Sequence, residues 1–179
     1  KIIGFYSVVF AAHTLLFFYS QQYFADFGYN KVQISVIMLL VGGASCLGAL
    51  ASEKMYRRFG KRCLIPETVI IAAAILCYGS GKAGVAAAAL MCAGFANAAL
   101  YPIQSDSLNA LIPSEQRATL ISVDSMCFSI AMIVLFPLAG ALADRWGLKT
   151  VLLLLGAILL LFLLTVFCIE KESFSSDHS

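Results

Sequence analysis

Three polar positions inside apolar runs of this chain are of types that can move a proton or hold a solute. His13 lies halfway along the first run. On a helical wheel it shares a face with Tyr6, Phe10, Phe17, Ser20 and Phe24, with Gln21 at the margin. Imidazole changes charge near neutral pH, so this stripe reads as a cavity wall with a titratable centre. It also reads as a neutral imidazole satisfied by another helix or a carbonyl. Asn97, Tyr101 and Gln104 follow one another at i, i+4 and i+7, with Gly94 adding room one turn earlier. Their amides and phenol can bind a polar solute, or make ordinary interhelical hydrogen bonds. Asp124 lies about two turns into the fifth run and is a second candidate for carrying a proton, because an acid at that depth costs at least about 2.5 kcal/mol. Glu67 and Asp106 lie nearer helix ends, where the helix dipole and basic partners such as Arg62 and Arg117 account for them.

The elements that position these residues follow from composition. Hydrophobic residues make up 61% of the 179, charged ones 12%, and mean hydropathy is +0.90. A soluble domain has about 45–50% and about 25% respectively, so the solvent here is lipid. Six runs approach the roughly 20 helical residues that cross a bilayer, at about 2–24, 33–52, 64–80, 83–106, 118–140 and 148–169. Strand-like alternation is absent, which argues against a membrane barrel. The joints carry turn chemistry: Gly28 and Asn30, then Gly79-Ser80-Gly81-Lys82, then Ile112-Pro113-Ser114. Residues 171–179 are read as a polar tail with no reason to fold.

Several function classes drop out. Basic residues do not interleave with aromatics as in a nucleic-acid surface. The six cysteines form no C-x-x-C pair or metal-ligand cluster, and no cofactor is implied. No nucleotide-binding glycine loop points to ATP.

Charge sorting sets the orientation. Lys1, Lys54, Arg57, Arg58, Lys61, Arg62, Arg117 and Lys171 fall on one side, against Lys31, Lys82, Arg145 and Lys149 on the other. The richer side is read as cytoplasmic, and both chain ends with it. A repeat supports this. Gly48–Ala51 and Gly140–Ala143 both read Gly-Ala-Leu-Ala, and each precedes a basic residue, an aromatic and a glycine: Arg58-Phe59-Gly60 and Arg145-Trp146-Gly147. Both copies fall between the second and third helix of a triplet, as in an inverted three-plus-three repeat. The copy facing the cytoplasm keeps the basic residues.

With these residues in view, the chain resembles the C-terminal half of a major facilitator superfamily transporter, helices seven to twelve of a twelve-helix fold. Gly48 to Arg62 resembles the family's signature loop, Gly-x-x-x-Asp-Arg-x-Gly-Arg-Arg. Gly48, Gly60, Lys61 and Arg62 match its glycines and terminal basic pair, while Ser52 stands at the acid position with Glu53 beside it and about five residues are inserted. LNALIPSEQRATLIS (108–122) and PLAGALADRWGL (137–148) are similar to the joints before helices eleven and twelve in bacterial members. The resemblance implies an all-α fold of six transmembrane helices, and a cavity lined by the first and fourth helices. It implies a proton-coupled transporter in the bacterial plasma membrane, and a gating role for the loop that holds Gly48, Glu53, Arg58, Gly60, Lys61 and Arg62. The residues alone give that loop a packing job, because Ala44, Gly48 and Ser52 form a small-x-x-x-small ridge that Gly42 and Gly43 extend.

The expected solute is drug-like or amphiphilic, because the aromatic stripe carries few fixed charges. Gln21, Asn97 and Gln104 could instead bind the hydroxyls of a sugar or small metabolite. The expected partners are the solute, protons, the bilayer, and either an N-terminal six-helix half upstream of Lys1 or a second copy. One rival is a serine protease: Gly43-Ala44-Ser45-Cys46 resembles the rhomboid Gly-x-Ser-x motif, but the serine and histidine fall on the wrong helices. The other is a piece that transports nothing on its own.

Overall fold

The computed structural model of the protein describes residues 2–60, 64–111 and 117–176. Six α-helices account for nearly all of them: α1 (Ile2–Asp26), α2 (Lys31–Phe59), α3 (Leu64–Cys77), α4 (Ala83–Leu111), α5 (Arg117–Trp146) and α6 (Leu148–Ser176). A 3-10 turn, Tyr78–Ser80, finishes α3. By length and composition, segments of α2, α4, α5 and α6 are each sufficient to cross a membrane, and Thr68–Ser80 is a shorter apolar helix.

The helix ends follow local chemistry. Asn30 and Gln33 form a capping box at the start of α2, exchanging two side-chain to backbone bonds of 2.9 Å. A single residue, Gly147 with φ +80°, separates α5 from α6, a reversal that a side chain would strain. α2 continues past the expected end at 52 to Phe59, so Lys54, Arg57 and Arg58 lie on its last turns rather than in a loop. Glu, Lys, Met and Arg are good helix formers, and the Glu53–Arg57 ion pair of 2.6 Å supports the turn. The helix stops only at Gly60, where φ is +59°. Likewise α6 runs to Ser176, so the stretch from 171 to 176 is helical and not an unfolded tail. Hydropathy marks where a helix leaves the lipid, not where it ends.

The pairing of helices is specific. α2 lies along α4, α3 packs against both α4 and α6, and α1 lies along α5. Glycines allow the close approaches. A methyl on Gly48 would collide with the Phe95 backbone carbonyl, and Ser52 Oγ donates to the Ala99 carbonyl at 2.9 Å. The contacts advance together along both chains, so α2 and α4 run parallel. α1 and α5 also run parallel: Ser7 meets Asp124, and Tyr19 donates to the Phe136 carbonyl at 3.0 Å. α3 and α6 are antiparallel, with Gly79 against Leu153 and Gly156 against Leu76. The core between α1, α3, α4 and α6 is built from Leu16, Ile71, Ile75, Leu90, Leu100, Leu152 and Leu159. The outer faces of α2 and α5 stay apolar and open: Leu39 is 74% exposed and Ile133 73%. A water-soluble surface would not present them so, and a bilayer does.

Candidate functional site

The open side of the bundle contains a hollow of about 430 Å³ bounded by three helices. α1 contributes His13, Thr14 and Phe17; α2 contributes Met38, Val41, Gly42 and Ser45; α4 contributes Gly94 and Asn97. Helical spacing puts these residues on common faces: 13, 14 and 17 on α1, 38, 41, 42 and 45 on α2, 94 and 97 on α4. Gly94 holds α4 close to α2, since a methyl there would lie 2.8 Å from Ser45 Oγ and 3.1 Å from a Val41 methyl. No side chain lies within 4 Å of the space above Gly42, which widens the hollow.

Two buried polar atoms on this wall have no hydrogen-bond partner: His13 Nε2 and Asn97 Oδ1. Buried polar groups are almost always satisfied by protein or water, so a pair of orphans flanking one cavity is an unusual arrangement. Both residues line the hollow through other atoms, because Nε2 and Oδ1 themselves present almost no surface to it. Ser45 lines the same space, and among the described residues the His13 Nε2 is not engaged with its hydroxyl.

The other expected solute-binding residues divide. Phe17 lines the hollow with His13 and Asn97. Ser20 is fully buried in the core and donates to the Phe17 carbonyl at 2.6 Å. Gln21 is exposed outside the hollow. Tyr101 is 64% exposed and its ring meets the edge of Phe10 at 5.7 Å. The side chains of Tyr6 and Gln104 lie outside the described set. Thr14, Met38 and Val41 belong to the wall without having been expected there. The signal for the α2 residues was the helical spacing of Met38, Val41 and Ser45, and for Thr14 its place beside His13 on α1.

Asp124 is not in the hollow. It sits half-buried on α5, where Ser7 Oγ approaches its carboxylate at 3.5 Å from α1. α1 therefore faces two ways: His13 and Phe17 toward the hollow, Ser7 and Tyr19 toward α5. Aromatic stacking of Tyr19 on Phe136, with centroids 5.3 Å apart, closes the other end of that seam.

Of the signature-loop residues, Gly48 is buried in the α2–α4 contact. Glu53 is tied to Arg57 of its own helix, and Arg58 lies over the Phe59 ring at 5.6 Å. Lys61 and Arg62 lie outside the described residues. Gly42 and Gly43 meet nothing within 4 Å, so they do not extend the close-packed ridge as expected; a face without contacts cannot hold two helices together. Among the described residues, no group of three His, Cys, Asp or Glu could hold a metal ion.

The family model described as Major Facilitator Superfamily matches residues 2–177, nearly the whole chain. No curated protein and no solved structure matches it.

Proposed function

Since the chain belongs to the Major Facilitator Superfamily and is a membrane protein of the transporter type, we propose that it forms one half of a secondary active transporter, helices seven to twelve. Its partner is an N-terminal six-helix half or a second copy, which closes the hollow from the other side. The observation that carries this reading is the hollow itself: His13 on α1 and Asn97 on α4 line one open space together with Ser45 of α2.

The six helices are read as transmembrane, related as three plus three in inverted orientation. The pairings support the repeat. Exchanging α1 with α4, α2 with α5 and α3 with α6 turns the α2–α4 pair into the α5–α1 pair and leaves α3–α6 unchanged, while the extensive α3–α4 contact has a smaller α6–α1 counterpart. The two glycines of the repeated Gly-Ala-Leu-Ala fall at matching contacts: Gly48 against Phe95 on α4, Gly140 against the Tyr19 hydroxyl on α1. Both chain ends lie in the cytoplasm, on the side of the basic residues, and the membrane is the bacterial plasma membrane.

Transport proceeds by rocking of the two bundles about the midplane site. Asp124 carries the coupling proton and His13 contacts the solute. Ser7 Oγ lies 3.5 Å from the Asp124 carboxyl across the α1–α5 seam, so a change of charge on Asp124 is felt by α1. Because α1 also forms the solute wall, the two sites communicate through one helix. The direction proposed is export of an amphiphilic, drug-like solute.

The test is solute-stimulated proton flux into proteoliposomes that hold the intact protein. Flux that requires both solute and Asp124 supports the reading. Solute movement that proceeds unchanged without any proton movement removes the proton coupling, and no solute movement removes the transporter.

A further inference from the structure

One face of α2 is open along its length and changes chemistry once. Leu39, Gly43, Leu47 and Leu50 recur at three- and four-residue steps, and all are exposed. The same steps continue to Lys54, Arg57 and Arg58, also exposed, on the last turns of the helix. The apolar part spans about 16 Å at 1.5 Å per residue, roughly half of a 30 Å bilayer core. It matches one leaflet, and Lys54 comes one turn beyond it, at headgroup depth.

The charges at this end are unevenly engaged. Glu53 is paired with Arg57, whereas neither Lys54 nor Arg58 has an acidic partner among the described residues. Lys54 and Arg58 are four residues apart, so their long side chains can reach one phosphate from the same face. The Phe59 ring lies against the Arg58 guanidinium at 5.6 Å, which favours a position at the helix end. α5 provides an internal comparison. Its open face, with Ile130, Ile133, Val134 and Leu138, leads by the same spacing to Asp144 and Arg145, one charge of each sign.

We propose that this face of α2 binds an anionic phospholipid, with an acyl chain along Leu39, Leu47 and Leu50 and its phosphate on Lys54 and Arg58. A zwitterionic headgroup gains less, because its cation finds Glu53 already paired. The end of α5, with both signs side by side, has no such bias. The site is separate from the hollow, which uses Met38, Val41 and Ser45 of the same helix, and it does not depend on transport.

The chain has one tryptophan, Trp146, beside Asp144 and Arg145, which reports on that end of α5. Trp146→Phe combined with Leu50→Trp moves the reporter to α2. The intact protein is reconstituted in phosphatidylcholine vesicles, with part of the lipid replaced by dibrominated phosphatidylglycerol or dibrominated phosphatidylcholine. Bromine quenches an adjacent indole, so the ratio of the two association constants is read at each position. Phosphatidylglycerol is expected to exceed phosphatidylcholine at least about threefold at position 50, and to equal it at Trp146. Adding Lys54→Gln and Arg58→Gln, at exposed positions where glutamine keeps the helix, is expected to return the ratio at position 50 to about one. Equal association at position 50 overturns the proposal, as does a preference that survives both substitutions or that is the same at Trp146. So does a reporter at position 50 that neither lipid quenches, which would show that protein, the other half or a second copy, covers this face.

Discussion

Ser52 on α2 donates its buried hydroxyl to the Ala99 carbonyl on α4 at 2.9 Å, one turn beyond the place where Gly48 meets the Phe95 backbone. Between them these contacts set the spacing of the two helices that carry Ser45 and Asn97. Without an aqueous hydrophobic effect to drive helices together, small residues and interhelical hydrogen bonds must do it. The wall of the hollow is therefore only as well defined as this seam.

Gly48→Ala is expected to destabilise the protein by about 1–3 kcal/mol, because the added methyl meets backbone and not a movable side chain. Gly43→Ala is expected to be neutral or stabilising, since nothing lies within 4 Å and alanine favours helix. Thermal denaturation in one detergent compares them. Equal losses would show that the close approach is not where the structure puts it.

Ser52→Ala removes one interhelical hydrogen bond and adds no bulk. The expected loss is about 0.6 kcal/mol, at most about 1.7. Reversible unfolding in mixed micelles can resolve that difference, and a loss beyond this range would mean that Ser52 holds more than the Ala99 carbonyl.

Asp124→Asn keeps a partner for Ser7 but cannot carry a charge. Solute-dependent proton flux should fall at least tenfold, while the amount of protein in the membrane stays unchanged. Normal coupled flux in this variant would exclude Asp124 as the proton carrier.

The Glu53–Arg57 pair is exposed on both sides, with side chains 77% and 74% accessible, so it contributes little to stability. Glu53→Gln should leave stability within about 0.5 kcal/mol. If the loop gates transport, the same change alters the transport rate. A change in neither would leave Glu53 with no more than a local helix contact.

Much of this arrangement was legible in the sequence. Apolar runs of membrane length gave the helices, and Gly28 with Asn30 and the Gly79-Ser80-Gly81-Lys82 reversal marked joints between them. The ridge of Ala44, Gly48 and Ser52 pointed to a close helix pair, and the wheel positions of His13 and Asn97 pointed to a shared space. Other parts were hidden for physical reasons. Ser7 and Asp124 are 117 residues apart, and a contact across that distance leaves no local periodic signal. Ser20 shares the His13 stripe on the wheel, yet its hydroxyl bonds to its own helix and turns into the core. Hydropathy fell at Glu53, but helix propensity did not, which is why α2 runs on to Phe59.

The central claim is that His13 and Asn97 border a wet, polar-lined hollow. It is tested most directly by thiol accessibility in a background with the six native cysteines replaced. Ser45→Cys and Asn97→Cys are each compared with Leu39→Cys and Ile133→Cys on the open apolar faces. A hydrophilic methanethiosulfonate reacts with thiolate, which forms where water reaches the sulfur. The account predicts that the two cavity positions label at least tenfold faster than the two outer ones, and that solute slows only the cavity pair. Equal labelling at all four positions, or faster labelling at Leu39 and Ile133, would contradict it.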